Sequence, residues 1–413
     1  MADPLDDEYE PLDDPAEDRE APPPMGRDDY GVAISRQPPK APLITASPFV
    51  WRDPALIPPR KWLYGSHLIR KFVSTTIAPG GVGKTALGLA EALAMVTGRD
   101  LLRNGHRGEP LRVWVYNLED PLEELERRVA AICLHFGIGP GDIGGRLFLD
   151  SGRNQELIVA RSLKDSVVVV QPVVEALVTA MCERTIDVLI VDPFVSCHTV
   201  KENDNGAIDK VAKTFAGIAD RTDAAVELIH HARKTNGAEV TVEDGRGAVA
   251  LLAASRSGRV LNGMTKDEGK SAGVANHRSY FRADNGKANL APPADKASWF
   301  RFVSIALGNG DNVGVVEPWQ FPDAFDGVTV SSLRAAQEAV SNGRWRENSQ
   351  ATDWVGIPIA NALGLDPTNE AHKGKIKTLL KTWTANGMFV VVEELDDRSR
   401  PRPFVKVGKL ASD

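Results

Sequence analysis

The sequence predicts an α/β protein: a mostly parallel, twisted sheet covered by helices, followed by a small module of helices and a hairpin. Three observations carry this. Short β-branched runs alternate with longer helical stretches through the middle of the chain. A glycine-rich turn ending in Lys-Thr joins the first such strand to the first helix. Beyond residue 325 the order changes to three helices and then two strands. Strand–helix alternation gives a parallel sheet, because each crossover lays a helix on a face of the sheet.

Phe72 to Ile77 reads as the first strand, and Ala86 to Thr97 as a helix of Ala and Leu. Further strands are expected at 112–116, 147–149, 188–191, 225–229, 259–263, 279–283 and 299–305, with helices at 122–136, 171–184 and 208–222. The later strands follow one another without long helices, so that edge should be antiparallel. Helices at 331–341, 352–363 and 371–386 precede strands at 388–394 and 404–407, joined by the charged loop 396–402. Three helices and a hairpin are the order of a winged helix-turn-helix domain. The expected domains are an acidic, Pro-rich tail (1–44), an α/β domain (45–325) and a winged-helix domain (326–413).

The net charge of -7 is unevenly placed. Residues 1–40 hold twelve Asp/Glu against four Lys/Arg, a net of -8, so the rest sums to about +1. Such a segment buries too little apolar surface to offset its ordering entropy, and disorder is expected. Three cysteines far apart, with no CxxC pair, argue against a disulfide framework or zinc site and fit a reducing cytoplasm. No apolar run is long enough to span a bilayer.

Pro79-Gly80-Gly81-Val82-Gly83-Lys84-Thr85-Ala86 continues from Ala78, which stands where the Walker A pattern begins with Gly. The glycines let backbone N–H groups point at phosphates, and the following helix adds its positive end. Lys84 is expected on the β- and γ-phosphates of ATP, and Thr85 on Mg²⁺. Val188 to Asp192 is a buried-type strand ending in a carboxylate, which would hold the Mg²⁺ shell through water. The strand 112–116 runs out into Glu119 and Asp120. Hydrolysis needs a group to orient the attacking water, and Glu119 is the candidate; Asp120 suits the start of the next helix. The strand 225–229 runs out into His230 and His231, of which either can reach a γ-phosphate. Adjacent strand residues point to opposite faces, so a metal-binding His pair is excluded.

Taken in order, these pieces resemble the RepA-type hexameric replicative helicases of plasmids and mobile elements, among the RecA/DnaB-like P-loop ATPases. The likeness runs from Pro59-Arg60-x-Trp62-Leu63-Tyr64-Gly65, through the Walker A, Tyr116-x-x-Glu119-Asp120-Pro121 and Asp192-Pro193, to His230-His231-x-x-Lys234. It continues in Arg246-Gly247-x-x-Ala250-Leu251 with Arg256, and ends at Lys287-Ala288-Asn289 before Pro292. The resemblance implies a RecA-like core, assembly as a homo-hexamer, ATP held between subunits, and Arg60 among the ATP-contacting residues. It implies Glu119 as the catalytic carboxylate and an arginine acting from the neighbouring subunit. Arg246, Arg256, Arg259 and Arg282 are candidates, Arg256 first, with Lys287 as a second cation in trans. It also places single-stranded DNA against the loops 198–206 and 235–245, where Lys201, Lys234 and Arg246 are the candidate contacts. Those loops also carry Glu202, Asp204, Glu239, Glu243 and Asp244, which suits phosphate poorly.

In the C-terminal module, residues 371–386 place Lys373, Lys375, Lys377 and Lys381 opposite an apolar stripe. This is the recognition-helix position, with Lys375, Lys377 and the wing residue Arg400 as candidate duplex contacts. The leading expectation is a DNA helicase or translocase acting in replication of a plasmid, phage or integrated element. The alternatives are a DNA-binding regulator or assembly factor switched by ATP, and a scaffold that binds ATP without turnover.

Overall fold

The computed structural model describes residues 26–27, 33–34, 45–104, 108–163, 166–232, 239–241, 248–292 and 297–411. Almost all of the expected 1–44 tail, together with Lys234, Arg246 and most of the loop 235–245, lies outside the described residues. The chain forms two compact units, Met1–Pro58 and Pro59–Asp413. In the first, Asp53 caps a short 3₁₀ turn, Pro54–Leu56, by accepting a hydrogen bond from the Ala55 amide (2.9 Å). Phe49 and Trp51 are exposed there, edge to face at 6.5 Å.

The second unit is built on a nine-stranded sheet. Its elements in chain order are β1 (Val73–Ala78), α1 (Lys84–Thr97), β2 (Val113–Asn117), α2 (Leu122–Phe136), β3 (Leu147–Ser151) and α3 (Gln171–Glu183). They continue with β4 (Val188–Asp192), α4 (Asn205–Thr222), β5 (Ala225–His231), α5 (Ala248–Ala254), β6 (Ser257–Gly263) and α6 (Lys266–Ala272). The last three strands are β7 (Tyr280–Ala288), β8 (Ser298–Ala306) and β9 (Asn312–Trp319). The order across the sheet is β9-β8-β7-β6-β1-β5-β4-β2-β3. The six strands from β6 to β3 are parallel, and β7, β8 and β9 extend the sheet antiparallel.

Both faces of the parallel part are dry. Leu87, Leu93 and Ile132 of α1 and α2 pack against Val113, Val115 and Ile190 on one side. Val174 and Leu177 of α3 and Ile208, Val211 and Phe215 of α4 pack against Leu189, Val191 and Leu228 on the other. This explains the β-branched strands without polar alternation. The sequence reading missed β9 because Gly314 and Pro318 interrupt it. Pro318 lies on an edge strand, where a missing N–H costs no ladder bond.

The polar run Ser74-Thr75-Thr76 of β1 is buried and fully engaged. Ser74 Oγ donates to the His67 carbonyl (2.6 Å), Thr75 shares a hydrogen bond with Ser255 Oγ (2.5 Å), and Thr76 donates to Glu227. Arg259 adds its Nε–H to Thr76 Oγ1 (2.8 Å) and forks onto both carboxylate oxygens of Glu91 (2.6 Å each). His67 closes the network between Ser257 Oγ (2.8 Å) and Glu227 (2.9 Å).

The C-terminal part holds α7 (Val330–Ser341), β10 (Trp345–Arg346), α8 (Gly356–Ala362), α9 (Glu370–Ala385), β11 (Phe389–Leu395) and β12 (Pro401–Val407). Its sheet order is β10-β12-β11, and Val340, Ile359, Ile376, Leu379, Trp383, Phe389 and Val405 form its core. Strand β12 begins three residues before the expected 404. Pro401 and Pro403 masked it, yet β10 pairs only with Phe404 and Val405, leaving the proline side unpaired. Helix α8 starts at Gly356 rather than at the expected 352. Among the described residues no helix is long and apolar enough to cross a membrane.

Candidate nucleotide site

The ends of β1, β2, β4 and β5 meet at one edge of the sheet, and the turn from β1 to α1 crosses it. Gly83 has φ +105°, a left-handed conformation that an L side chain adopts only with strain. A Cβ there would lie 2.3 Å from Cζ of Phe302, which leans over the turn from β8. Glycine is therefore required twice, by the backbone and by the ring.

Lys84 and Thr85 open α1. Thr85 Oγ1 donates to Asp192 Oδ2 (2.6 Å) at the end of β4. Hard oxygen donors converging there suit Mg²⁺: the Thr85 hydroxyl would ligate it directly and Asp192 through water. Burial raises the Asp192 carboxyl above its ordinary range, opposed by the Thr85 hydrogen bond and the Lys84 charge. Burial lowers the Lys84 ammonium, opposed by Asp192 and Glu119.

The two histidines of β5 separate as the strand pleat requires. His231 faces the site, with Nδ1 2.8 Å from Lys84 Nζ and Nε2 3.6 Å from Glu119 Oε1. A charged lysine can only donate, so Nδ1 accepts, and the ring proton sits on Nε2 toward Glu119. His230 is buried on the other side of the strand, edge to face with Phe194 at 5.7 Å. The structure does not bring His230 to the phosphate turn.

The two carboxylates after β2 also separate. Asp120 pairs with Arg128 of α2 (3.1 Å). Pro121 occupies the N-cap of that helix, so Asp120 serves it by an ion pair rather than as its cap. The Glu119 backbone is pinned: its N–H reaches Asn117 Oδ1 (3.0 Å) and its carbonyl accepts from Arg153 Nε (2.7 Å). Its side chain is 56% exposed and turned toward His231, a suitable position for holding a water.

Beside the turn, Ala86, Phe302, Arg127, Arg128 and Gly314 line a cleft of about 520 Å³. Neither Phe302 nor the two arginines was read as functional from sequence. Phe302 lies on a late strand, and only the sheet order brings it over the turn.

The remaining candidates lie elsewhere. Arg259 is 6% exposed and forked onto Glu91, so it cannot reach a neighbouring chain. Arg282 is held by Glu239, Glu268 and Asp284 and lies over the Trp299 ring. Arg256 is exposed at the start of β6 and forms no ion pair among the described residues; its guanidinium lies 5.8 Å from the Phe72 ring centre. Lys287 donates to the Leu252 carbonyl beside it. Arg60 donates to the Leu290 carbonyl (3.2 Å), at the end of β1 opposite the phosphate turn. Six residues at about 3.3 Å each separate those ends by roughly 20 Å. Arg60 is thus far from the phosphate turn of its own chain.

Lys201 is exposed in the loop after β4. Lys375 Nζ donates to the Asp326 carbonyl (2.8 Å), while Lys377 is exposed. Arg400 shares Asp396 with Arg402 at 3.6 Å.

These features define a P-loop ATPase core. Residues 38–237, just under half the chain, match the AAA domain family. Among solved structures the chain is similar to the ATPase domain of a helicase, at 12% identity and TM-score 0.41, covering 57% of this chain and 82% of that one. It is also similar to the RadB recombinase, at 14% identity and TM-score 0.37, covering 57% and 88% respectively.

Proposed function

We propose that the protein is a RepA-type, RecA-like DNA helicase or translocase that hydrolyses Mg²⁺·ATP between the subunits of a ring. One observation carries this reading. The phosphate turn, Glu119 and His231 occupy one end of the parallel strands, whereas Arg256 and Lys287 sit uncompensated at the other. One chain therefore holds half a site, and a head-to-tail neighbour completes it.

In this reading Lys84 turns from His231 to the γ-phosphate and the hydroxyl of Thr85 holds Mg²⁺. Glu119 orients the attacking water, and His231, released by Lys84, contacts the γ-phosphate and relays its presence to Glu119. The base stacks on Phe302 in the adjoining cleft. Mixing Arg256→Ala with Lys84→Ala subunits tests the arrangement, since each variant keeps the half that the other lacks. An arginine in trans is worth about 10³–10⁵ in rate. Substantial recovery of ATPase on mixing is expected, with ATP·Mg²⁺ increasing particle size. Two variants that assemble and recover nothing would overturn it.

The second reading, a duplex-binding regulator switched by ATP, is favoured by the placement of charge. The loop after β4 carries Glu202 and Asp204 beside Lys201, and the loop between β11 and β12 neutralises its own arginines. In that reading the C-terminal part is a winged helix that contacts DNA through α9.

A further inference from the structure

Cations at the start of the parallel strands fall into two groups. Lys61 pairs with Asp223 (3.5 Å), Lys71 with Asp220 (3.5 Å) and Arg70 with Asp187. Arg60, Arg256 and Lys287 have no carboxylate partner among the described residues. The chain also gathers these three. The Asn289 amide donates to the Arg256 carbonyl (3.2 Å), and β6 and β7 pair Gly258 with Lys287. Arg60 then reaches across to the next residue, Leu290 (3.2 Å). The Arg256 charge contributes, after burial, to lowering the Lys287 ammonium.

Each cation is held by contacts that leave its charge unmet. Lys287 is anchored on a carbonyl, which accepts a hydrogen bond but carries no counter-charge. Arg256 rests on the Phe72 ring. Arg60 uses one Nη1–H on Leu290 and keeps the rest of its fork. Fixed cations without counter-charge, beside a set that is fully paired, form a receptor for a multiply charged anion.

We propose that Arg60 belongs to this receptor and contacts the γ-phosphate held by the neighbouring copy, alongside Arg256 and Lys287. This rests on the inter-subunit reading above and adds a residue to it. Two planar forks and one ammonium can engage all three γ-oxygens, with Arg60 fixed through Leu290 on the segment that carries Lys287.

The test uses full-length protein and three measurements. Arg60→Ala alone should lower kcat at least about tenfold, a fraction of a full arginine finger. Binding of ATP should change less than about twofold, because Lys84 and the cleft of the same chain are intact. Arg60→Lys should keep more activity than Arg60→Ala. Equal mixing with Lys84→Ala subunits should restore about a quarter of the wild-type rate, the share of interfaces that pair two intact halves. Unchanged kcat in Arg60→Ala overturns the proposal. So does a loss that mixing fails to restore while the Arg256→Ala mixture recovers, which leaves the inter-subunit reading standing. Failure of both mixtures, with both variants assembled, overturns that reading as well. If Arg60→Ala does not fold, Arg60→Gln is read by the same criteria.

Discussion

At the scale of single residues, the site depends on positions where one atom more would not fit. Gly83→Ala meets two obstacles, the left-handed backbone and Phe302. The backbone term costs about 1–2 kcal/mol, and displacement of the ring adds to it. Thermal unfolding should show a lower Tm, and an ATP titration should show affinity reduced at least about tenfold. Adding Phe302→Ala should recover the steric part of the Tm loss but not the backbone part. A Gly83→Ala protein with wild-type Tm and affinity would mean that the turn is not shaped as described. The phosphate turn itself was legible in the sequence, because glycine spacing and Lys-Thr have one common physical use. The choice between His230 and His231 was not. Period two states that they diverge, but only the packing of Phe194 shows which one is buried. The same limit separated Glu119 from Asp120, whose partner Arg128 is a helical turn away on α2.

At the scale of elements, the alternation of β-branched strands and helices was enough to foretell a parallel sheet and its antiparallel edge. Strands carrying Gly or Pro on open edges were not visible, since their tolerance depends on which side is paired. Nor could sequence reveal that the polar stretch of β1 is a buried ionic layer. Arg259 read equally well as an interface arginine until its fork onto Glu91 was seen. That pair joins α1 to β6 behind the phosphate turn. Removing one partner strands a buried charge, a loss of about 3–5 kcal/mol. Glu91→Ala and Arg259→Ala should each lower denaturant stability by that order. The double variant should lose less than the sum. Neither should be rescued by mixing with Lys84→Ala subunits, which separates this arginine from Arg256. Rescue of Arg259→Ala on mixing would show that the guanidinium leaves Glu91 and works across an interface.

At the scale of the whole molecule, the open question is which DNA, if any, the chain engages. The packing of α9 bears on it. Gly374 lies against Ser271 of α6, where a Cβ would come within 3.0 Å of the Ser271 Cα, and Lys375 is tied to Asp326. This side of α9 faces the ATPase core. Lys377 and Lys381 face solvent, with Lys373 near the Trp354 ring at 5.8 Å. If the module binds duplex phosphates, these exposed lysines carry the contact and Lys375 does not. Each lost phosphate contact reduces the slope of log K against log salt by about 0.9. Lys377→Ala with Lys381→Ala should therefore flatten that slope by nearly two units, and Lys375→Ala should leave it unchanged. The helicase reading further requires ATPase stimulated by single strands, and that stimulation should survive the double substitution because it belongs to the ring's interior. Stimulation by duplex alone, abolished by the double substitution, would move the protein to the regulator reading. A slope altered as much by Lys375→Ala would show that α9 leaves the core when DNA binds.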